Sequence, residues 1–363
     1  MRLTLVISSL DCGGAERVMS VMGNYWAARS WEITLLSLGG SSQPPFYDLH
    51  PSINYVPLSQ GGNTTNAAAA FWRNLKCVSV LRGAIRKSKP DAVISFVDVT
   101  NVVTLLATRG LRVPVIVSER INPAMYFRGQ TWKYLRRWTY PLADMLVVQT
   151  PEIMNQLSAK LRSRTCVIPN PVLEPVLSHP ISQRQLTDLR LVSVGRLAPQ
   201  KGFDLLLEAF ARLKDRHSEW TLTIYGEGPS RRELESMRQA LGLTSRVLMP
   251  GKIRNTYEAL SQADLFVMSS RYEGFPNALC EAMASSLAVI CTDCPSGPKA
   301  IIRNGVDGLL VPTENVDALA EAMDSLMKNG TARKRLATNA VEIVKRFSLE
   351  KVMQMWEEAL VRV

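Results

Sequence analysis

The chain has 363 residues, of which 46% are apolar, and a formal net charge of +11. This length supports two domains of ordinary size, each with its own core, and is too large to depend on disulfides. No apolar run approaches the roughly 20 residues that a transmembrane helix needs. The N-terminus passes from an apolar strand into a glycine turn, which favours a mature cytoplasmic chain over a secretory signal peptide.

Positive charge is concentrated in the first half of the sequence. Residues 1–170 contain 19 Lys and Arg against 9 Asp and Glu, whereas residues 171–363 contain 24 against 23. This bias predicts an anionic partner for the first half: a membrane surface, a phosphorylated lipid or a nucleic acid. We expect no nucleic acid, because no RNA or DNA motif is present and the aromatic residues are interleaved with core patterns.

The predicted elements alternate between strand and helix, which favours parallel sheets with helices on both faces. Residues 39–66, rich in Ser, Gly, Pro and Asn, are predicted to form an irregular loop. The predicted strands of the first half are 2–8, 31–38, 92–96, 115–118 and 145–149. Gly13 and Gly14 follow the first strand, where they would let backbone approach a phosphate or sugar, or simply form a tight turn.

Two stretches of the first half, residues 71–89 and 131–141, combine apolar or aromatic residues with positive charge. The first can form a basic amphipathic helix, and the second has a composition suited to the lipid headgroup boundary. For each, the alternative is a core-facing helix with a solvated basic back. We hypothesise that one or both dock the protein peripherally on the anionic inner leaflet. The residues assigned to this membrane or acceptor surface are Arg73, Lys76, Arg86, Lys87, Trp132, Lys133, Arg136 and Arg137.

A domain boundary is predicted within residues 168–180, where four prolines interrupt the pattern. The domains would be residues 1–170 and 171–345, followed by a terminal helical segment, 346–363. The predicted strands of the second half are 190–194, 221–225, 246–249, 264–268 and 288–291.

Glu273 and Glu281, separated by seven residues, are the most informative feature of the chain. An apolar strand precedes them and a helix follows, so two carboxylates and a helix N-terminus meet where open α/β sheets bind ligands. The first-turn N–H groups of that helix suit a diphosphate, and carboxylates suit the hydroxyls of a ribose or sugar. The alternative is a solvated helix residue and a loop charge.

A second loop supports the binding interpretation. Gly195 and Arg196 follow the strand at 190–194, and Lys201 lies before the next helix. An Arg offers bidentate contacts to phosphate and a Lys offers a compact charge, so the pair could neutralise a leaving diphosphate.

With G-R-x4-K-G at 195–202 and E-x7-E at 273–281, the chain resembles the retaining family 4 glycosyltransferases of the GT-B fold. This resemblance implies two Rossmann-like domains facing each other across a cleft, a C-terminal helix that crosses back to the first domain, and retention of anomeric configuration. It implies catalytic roles for Glu273, Arg196 and Lys201. The donor-binding residues would be Gly13, Gly14, Gly195, Arg196, Lys201, Glu273, Phe275, Pro276, Asn277, Ala278 and Glu281.

Two departures from the family pattern affect the site. Many relatives have a His after the fourth strand of the first domain, where this chain has Glu119 and Arg120. Arg120 could take over that sugar contact and with it a catalytic role, with Glu119 orienting it or binding the acceptor; a plain ion pair at a strand end is the alternative. Lys299 stands where relatives commonly have Glu, which leaves the choice of donor open.

Other site types are disfavoured by their incomplete motifs. The glycine turn at 226–231 lacks the third glycine of a dinucleotide fingerprint. No D-x-D is present, so we expect the diphosphate to be held without a metal ion and without a cofactor. Cys291 and Cys294 form a lone C-x-x-C, which we interpret as reduced structural thiols.

The strings SFVDVTN, SERINP and TWKYLRRWTYPLAD are similar to enzymes that extend polyprenyl-diphosphate-linked oligosaccharides. That similarity implies a phosphorylated lipid-linked glycan as acceptor, with an exopolysaccharide or lipopolysaccharide intermediate as the alternative. It also implies a hexose or N-acetylhexosamine donor, with UDP preferred over GDP. Two other function classes stay open: a UDP-sugar 2-epimerase-like isomerase on the same fold, and a basic nucleic-acid-binding protein.

Overall fold

The computed structural model describes residues 1–39, 44–58, 67–122, 125, 129–175 and 189–363, with the side chains of the second helix described from residue 75 onward. The chain forms two units. The first consists of Met1–Asn170 together with Glu350–Val363, and the second of Pro171–Leu349.

The first unit is built on a seven-stranded parallel sheet with the order β3-β2-β1-β4-β5-β6-β7. The central strands β4, β5 and β6 are buried along their whole length because helices cover both faces of the sheet. Strand order reverses between β1 and β4, which places a topological switch point there. The strands are β1 (Arg2–Ile7), β2 (Glu32–Ser37), β3 (Asn54–Pro57), β4 (Ala92–Phe96), β5 (Val115–Ser118), β6 (Met145–Val148) and β7 (Thr165–Val167).

In the described part of the first unit, six helices connect these strands. A short 3-10 turn, Tyr140–Leu142, extends the fourth of them. The helices are α1 (Gly14–Ala27), α2 (Ala67–Ser88), α3 (Asp98–Thr108), α4 (Gln130–Thr139), α5 (Pro151–Asn155) and α6 (Ala159–Arg162).

The second unit repeats the architecture with a six-stranded parallel sheet of order β10-β9-β8-β11-β12-β13. Its switch point lies between β8 and β11, which pair through Leu265 with Leu191 and Phe266 with Val192. The strands are β8 (Leu189–Val194), β9 (Trp220–Tyr225), β10 (Val247–Gly251), β11 (Leu265–Met268), β12 (Ala288–Thr292) and β13 (Leu309–Val311).

Helices cover both faces of this sheet, and buried apolar clusters lie on each side. The helices are α7 (Phe203–Ala211), α8 (Arg231–Ala240), α9 (Thr256–Ser261), α10 (Asn277–Ala284), α11 (Pro298–Ile301), α12 (Val316–Lys328), α13 (Gly330–Ala340) and α14 (Glu342–Arg346).

The last helix, α15 (Leu349–Val361), belongs to the first unit from Glu350 onward. Its Trp356 is fully buried, with a ring centroid 5.9 Å from that of Phe96 at the end of β4. Trp26 of α1 also donates its indole N–H to Glu357, at 3.3 Å. The chain therefore returns to its first unit at the C-terminus, as the family resemblance implied.

The predicted class of two parallel α/β domains is confirmed, but three strands were not predicted. They are β3, β7 and β13, which have three or four residues each and lie at sheet edges. Short edge strands are half-exposed and carry little apolar signal. For this reason β3 was missed, and it lies inside the stretch 39–66 that was predicted to be irregular. Among the residues that the structure describes, no helix combines the length and apolarity needed to cross a bilayer.

Candidate active site

The two signature loops of the second unit leave neighbouring strands at the switch point. Residues 195–202 follow β8 and residues 269–276 follow β11, and both loops emerge at the carboxyl edge of the sheet. Ligands of open α/β sheets bind at this position, because the loops diverge there and open a crevice.

Lys201 and Glu273 meet across these loops. The Lys201 ammonium donates to Glu273 Oε1 at 2.6 Å, and the Ser270 hydroxyl donates to the same oxygen, also at 2.6 Å. The Ser296 hydroxyl fixes the backbone by donating to the Glu273 carbonyl at 2.8 Å. An ammonium has three donors, so this bond leaves two N–H groups of Lys201 for an anionic ligand.

Gly202 explains why the first signature ends in glycine. Its φ of 61° is left-handed, and a Cβ built on it would lie 2.1 Å from the carbonyl oxygen of Ser269. Ser269 in turn donates its hydroxyl to the Lys201 carbonyl at 3.0 Å. The two loops therefore approach each other as closely as backbone allows, which sets the Lys201 side chain beside Gly195.

Helix α10 carries the second carboxylate of the signature. Glu281 is 6% exposed and Glu273 is 5% exposed, so neither is the solvated charge of the alternative interpretation. Pro276 precedes the first helical residue, Asn277, and leaves the positive end of the helix at the loop. Phe275 is buried and packs edge-on against Phe347, with centroids 5.3 Å apart.

Two further charges of the second unit lie at the surface. Arg196 is exposed, and its guanidinium has no hydrogen-bond or ion-pair partner among the described residues. Lys299, the departure from the family pattern, is 71% exposed and pairs with Asp293 at 2.8 Å.

In the first unit, Gly13 and Gly14 lie at the start of α1, beside the switch point. Gly13 is extended, with φ of −167°, a conformation that any residue adopts. The three atoms nearest to a Cβ there all belong to the Glu16 carboxylate, the first at 2.2 Å, and they form the far end of a flexible side chain. The fold itself therefore does not require glycine at 13, whereas close approach of a ligand would.

Glu119 and Arg120 lie at the carboxyl end of β5, where the family histidine was expected. The Arg120 guanidinium donates to Asn170 Oδ1 at 2.5 Å and to the Ser118 hydroxyl at 3.3 Å, and its Cζ lies 4.0 Å from the centroid of the Phe96 ring. Burial lowers the pKa of Arg120 to about 9. Glu119 and Arg120 do not form an ion pair with each other, because Glu119 is bound by Arg136 and Tyr140.

Glu119 is the centre of a buried polar cluster. The Tyr140 hydroxyl donates to Glu119 Oε1 at 2.5 Å, and Arg136 Nε lies 2.8 Å from the same oxygen. Asn101 donates to the Tyr140 hydroxyl at 3.2 Å. Burial raises the pKa of Glu119 above its usual range, although Arg136 and Tyr140 oppose this shift.

The structure divides the residues assigned to the membrane or acceptor surface. From residue 75 onward, helix α2 turns Cys77, Leu81 and Ile85 into the core of the first unit and exposes Leu75, so most of the described apolar side chains of this helix face the core. The exposed assigned residues of this helix are Lys76, Arg86 and Lys87; the side chain of Arg73 lies outside the described residues.

Helix α4 presents an aromatic and basic face to solvent. Trp138 is 77% exposed and Tyr134 is 60% exposed, and Lys133 and Arg137 are exposed beside them. The other two assigned residues point inward, since Trp132 packs against the core and Arg136 pairs with Glu119. We call the exposed set, Lys133, Tyr134, Arg137 and Trp138, the α4 face.

Cys291 and Cys294 are buried free cysteines. Burial raises the pKa of the Cys294 thiol to about 12 and that of the Cys291 thiol well above its usual value, which keeps both protonated and unreactive. Within the described ranges, no group of three or more His, Cys, Asp or Glu side chains is arranged to hold a metal ion.

Residues that sequence reasoning missed are the partners of the signature residues. Ser270, Ser296 and Arg271 all hold the loop that carries Glu273. Ser270 and Arg271 are marked in the sequence only by their proximity to the motif, and Ser296 is 23 residues from Glu273, because the atoms that these side chains bind are set by the fold.

Two family models match consecutive parts of the chain. Residues 13–171 match the model described as glycosyl transferase 4-like domain, and residues 178–342 match the model described as glycosyl transferases group 1. One relative is the GalNAc-alpha-(1->4)-GalNAc-alpha-(1->3)-diNAcBac-PP-undecaprenol alpha-1,4-N-acetyl-D-galactosaminyltransferase of Campylobacter jejuni subsp. jejuni serotype O:2. It is 28% identical over 370 residues, covering 100% of this chain and 99% of the relative.

Solved structures share the fold at low identity. Sucrose-phosphate synthase from Thermosynechococcus elongatus superposes with a TM-score of 0.82 at 20% identity, covering 99% of this chain and 98% of that one. Anabaena HepE in complex with UDP and glucose gives 0.79 at 18% identity, covering 100% of both chains. These likenesses confirm the predicted GT-B fold class.

Proposed function

The chain belongs to the group 1 glycosyltransferases and has a glycosyl transferase 4-like domain in its first half, and on this premise we propose that it transfers a hexose or N-acetylhexosamine from a nucleotide sugar to a lipid-linked glycan. The observation that carries the proposal is the meeting of Lys201 and Glu273, at 2.6 Å, with the start of α10 at the switch point of the second unit.

The second unit would bind the donor. Lys201, the exposed Arg196 and the N-terminus of α10 offer positive charge and N–H groups to a diphosphate. Glu281 would accept hydrogen bonds from the ribose hydroxyls, and Glu273 from the hydroxyls of the sugar. UDP is the preferred nucleotide, since HepE was solved with UDP and glucose; a GDP-sugar is the alternative.

The chemical step breaks the bond between the anomeric carbon and the diphosphate oxygen while an acceptor hydroxyl oxygen forms the new bond and gives up its proton to the departing diphosphate. Negative charge builds on the leaving diphosphate, so Lys201 and Arg196 would lower the barrier where that charge develops. We propose that the reaction retains anomeric configuration, as the family resemblance implies.

We propose that no divalent metal ion is required, because the positive groups of the second unit can neutralise the diphosphate themselves. Turnover should be the same with and without EDTA. Loss of activity in EDTA that magnesium or manganese restores would contradict this part of the proposal.

The acceptor would be a phosphorylated, lipid-linked glycan. Support comes from the name of the Campylobacter relative, which describes a transferase acting on an undecaprenol-diphosphate-linked acceptor. The excess positive charge of residues 1–170 suits such an anionic acceptor and an anionic inner leaflet.

We propose that the α4 face, rather than α2, docks the protein peripherally on the membrane. Exposed Trp and Tyr side chains with neighbouring Lys and Arg are typical of headgroup contacts, whereas Cys77, Leu81 and Ile85 of α2 pack into the core. Flotation with anionic liposomes tests this: Trp138→Ser should reduce binding, and Leu75→Ser, a matched change of an exposed apolar residue on α2, should not. Equal binding by all three proteins would contradict docking through α4.

The proposed reaction is tested by incubating the purified chain with UDP-hexoses, UDP-N-acetylhexosamines or GDP-hexoses and a polyprenyl-diphosphate-linked oligosaccharide. The expected products are free nucleoside diphosphate and an acceptor heavier by one or more sugars, with the anomeric configuration read by NMR. Conversion of the donor without acceptor would instead identify an isomerase. No turnover of any donor with any lipid-linked acceptor would contradict the proposal.

A further inference from the structure

Arg271 lies two residues before Glu273 and joins three loops at the carboxyl edge of the second sheet. Its guanidinium donates to both carboxylate oxygens of Asp204, at 2.9 and 2.7 Å, and to the carbonyl of Pro199 at 2.7 Å. Its Nε donates to Glu314 at 3.0 Å. Pro199 belongs to the Lys201 loop, Asp204 to the first turn of α7, and Glu314 to the loop after β13.

Backbone contacts run alongside these side-chain bonds. The Arg271 N–H donates to the Gln200 carbonyl at 2.8 Å, and the Gln200 amide donates to the Tyr272 carbonyl at 2.9 Å. Gln200 precedes Lys201, and Tyr272 precedes Glu273. The residues directly before Lys201 and Glu273 are therefore both hydrogen-bonded to the opposite loop.

The geometry of Arg271 differs from that of an ordinary surface ion pair. The side chain is only 26% exposed, and each of its three guanidinium nitrogens donates in a planar, forked arrangement that only Arg can provide. A lysine at 271 would keep the charge but could not bind Asp204, Pro199 and Glu314 together.

We infer that Arg271 is a positioning residue for sugar transfer: it holds the Lys201 loop and the Glu273 loop in register without touching the substrate. This inference rests on the proposed function of the same site. A small displacement of a catalytic group lowers the rate far more than it weakens substrate binding, because the transition state demands tighter geometry.

The test compares Arg271→Lys, Asp204→Asn and the double variant with wild type. Arg212→Lys is the matched control, because Arg212 forms an exposed ion pair with Asp317 at the other end of α7. Arg271→Lys should lower kcat by about 10-fold or more while the KM for the donor changes by less than about 3-fold. Asp204→Asn should act in the same direction, and the double variant should be no slower than the slower single variant, because both break one clamp. Arg212→Lys should leave kcat within about 2-fold of wild type.

Hydrogen–deuterium exchange gives a readout that does not depend on turnover. Arg271→Lys should speed exchange in peptides covering 196–204 and 269–276, with peptides from α13 unchanged. If the wild type transfers no sugar, the proposed function fails, and the exchange comparison still decides whether Arg271 holds the two loops.

Wild-type kcat in Arg271→Lys, additive losses in the double variant, or unchanged exchange in both loops would overturn the inference. Should Arg271→Lys fail to fold, Asp204→Asn with Arg271 intact must show the faster exchange and lower kcat; a wild-type result from it would overturn the inference equally.

Discussion

Replacing Gly202 with alanine tests the claim that the two signature loops are held at the limit of backbone approach. Gly202 has a φ of 61°, and its added Cβ would lie 2.1 Å from the Ser269 carbonyl oxygen and 3.1 Å from the carbonyl carbon. Both obstacles are backbone atoms, so no side-chain rotation can relieve the overlap. The loop carrying Lys201 and the loop carrying Glu273 must separate.

The expected cost has two parts. A non-glycine residue in the left-handed region costs about 1–2 kcal/mol, and forcing an extra carbon into a filled site costs about 1–3 kcal/mol. Gly202→Ala should therefore lower the free energy of unfolding of the second unit by about 2–5 kcal/mol. Gly305 provides the matched control, since its φ is 75° and a Cβ there would meet nothing within 4 Å. Gly305→Ala should lower the free energy of unfolding only by the cost of the left-handed backbone, about 1–2 kcal/mol.

Urea denaturation of the full chain, followed by far-UV circular dichroism and fluorescence, measures both variants. Turnover under native conditions should fall in Gly202→Ala and stay near wild type in Gly305→Ala, because only the first change moves Lys201 away from Glu273. Equal destabilisation by the two substitutions, or undiminished turnover in Gly202→Ala, would show that close contact between the two loops does not require Gly202.

Three further predictions concern single groups. Lys201→Ala should slow turnover about 100-fold, the loss of roughly 3 kcal/mol of transition-state stabilisation at 1.36 kcal/mol per decade, and an unchanged kcat would contradict its role. Glu119→Ala breaks a buried ion pair and should cost about 3–5 kcal/mol of stability in urea denaturation, whereas an unshifted midpoint would show that the cluster contributes nothing. Hydrogen bonds from Lys328 and His217 lower the pKa of Asp324 from 3.8 to about 2. This carboxylate stabilises the fold above pH 3.8 and loses that contribution as the pH falls toward 2, so Asp324→Asn should make the acid limb of the stability profile shallower; an identical limb would contradict the assignment.

The sequence predicted the central architecture because its signals are local. β11 is a continuous apolar run and β4 is interrupted only by Ser95, and the glycines of the signature loops mark where the backbone turns sharply. Once the sheet is parallel, the carboxyl ends of its strands share one edge, so the meeting of Lys201 and Glu273 follows from their positions after β8 and β11.

The orientation of exposed helices could not be predicted in the same way. Leu75 and Cys77 both lie in α2, but only Cys77 faces the core, since the helix rotates about its axis until its apolar atoms fit the sheet. Likewise, Arg136 resembles its basic neighbours in sequence, but it points inward because it pairs with the buried Glu119 at the end of β5.

Long-range partners were also beyond reach of the sequence. Arg271 binds Asp204, 67 residues away, and Glu314, 43 residues away. No periodicity links these positions; only the packing of three strand ends brings them together. The membrane, donor and acceptor roles stay proposals for a related reason, because they depend on molecules whose contacts sequence patterns do not specify.

The most direct test of the central claim is nucleotide binding by the full chain, measured as the shift in melting temperature with UDP, GDP, ADP or NAD at millimolar concentration. A ligand at about 100 times its Kd adds roughly 2.7 kcal/mol to stability. We expect a shift with UDP or GDP that Glu281→Ala abolishes and that Glu233→Ala, a change of an exposed carboxylate on α8, preserves. A shift with NAD alone, or with none of the four nucleotides, would contradict it.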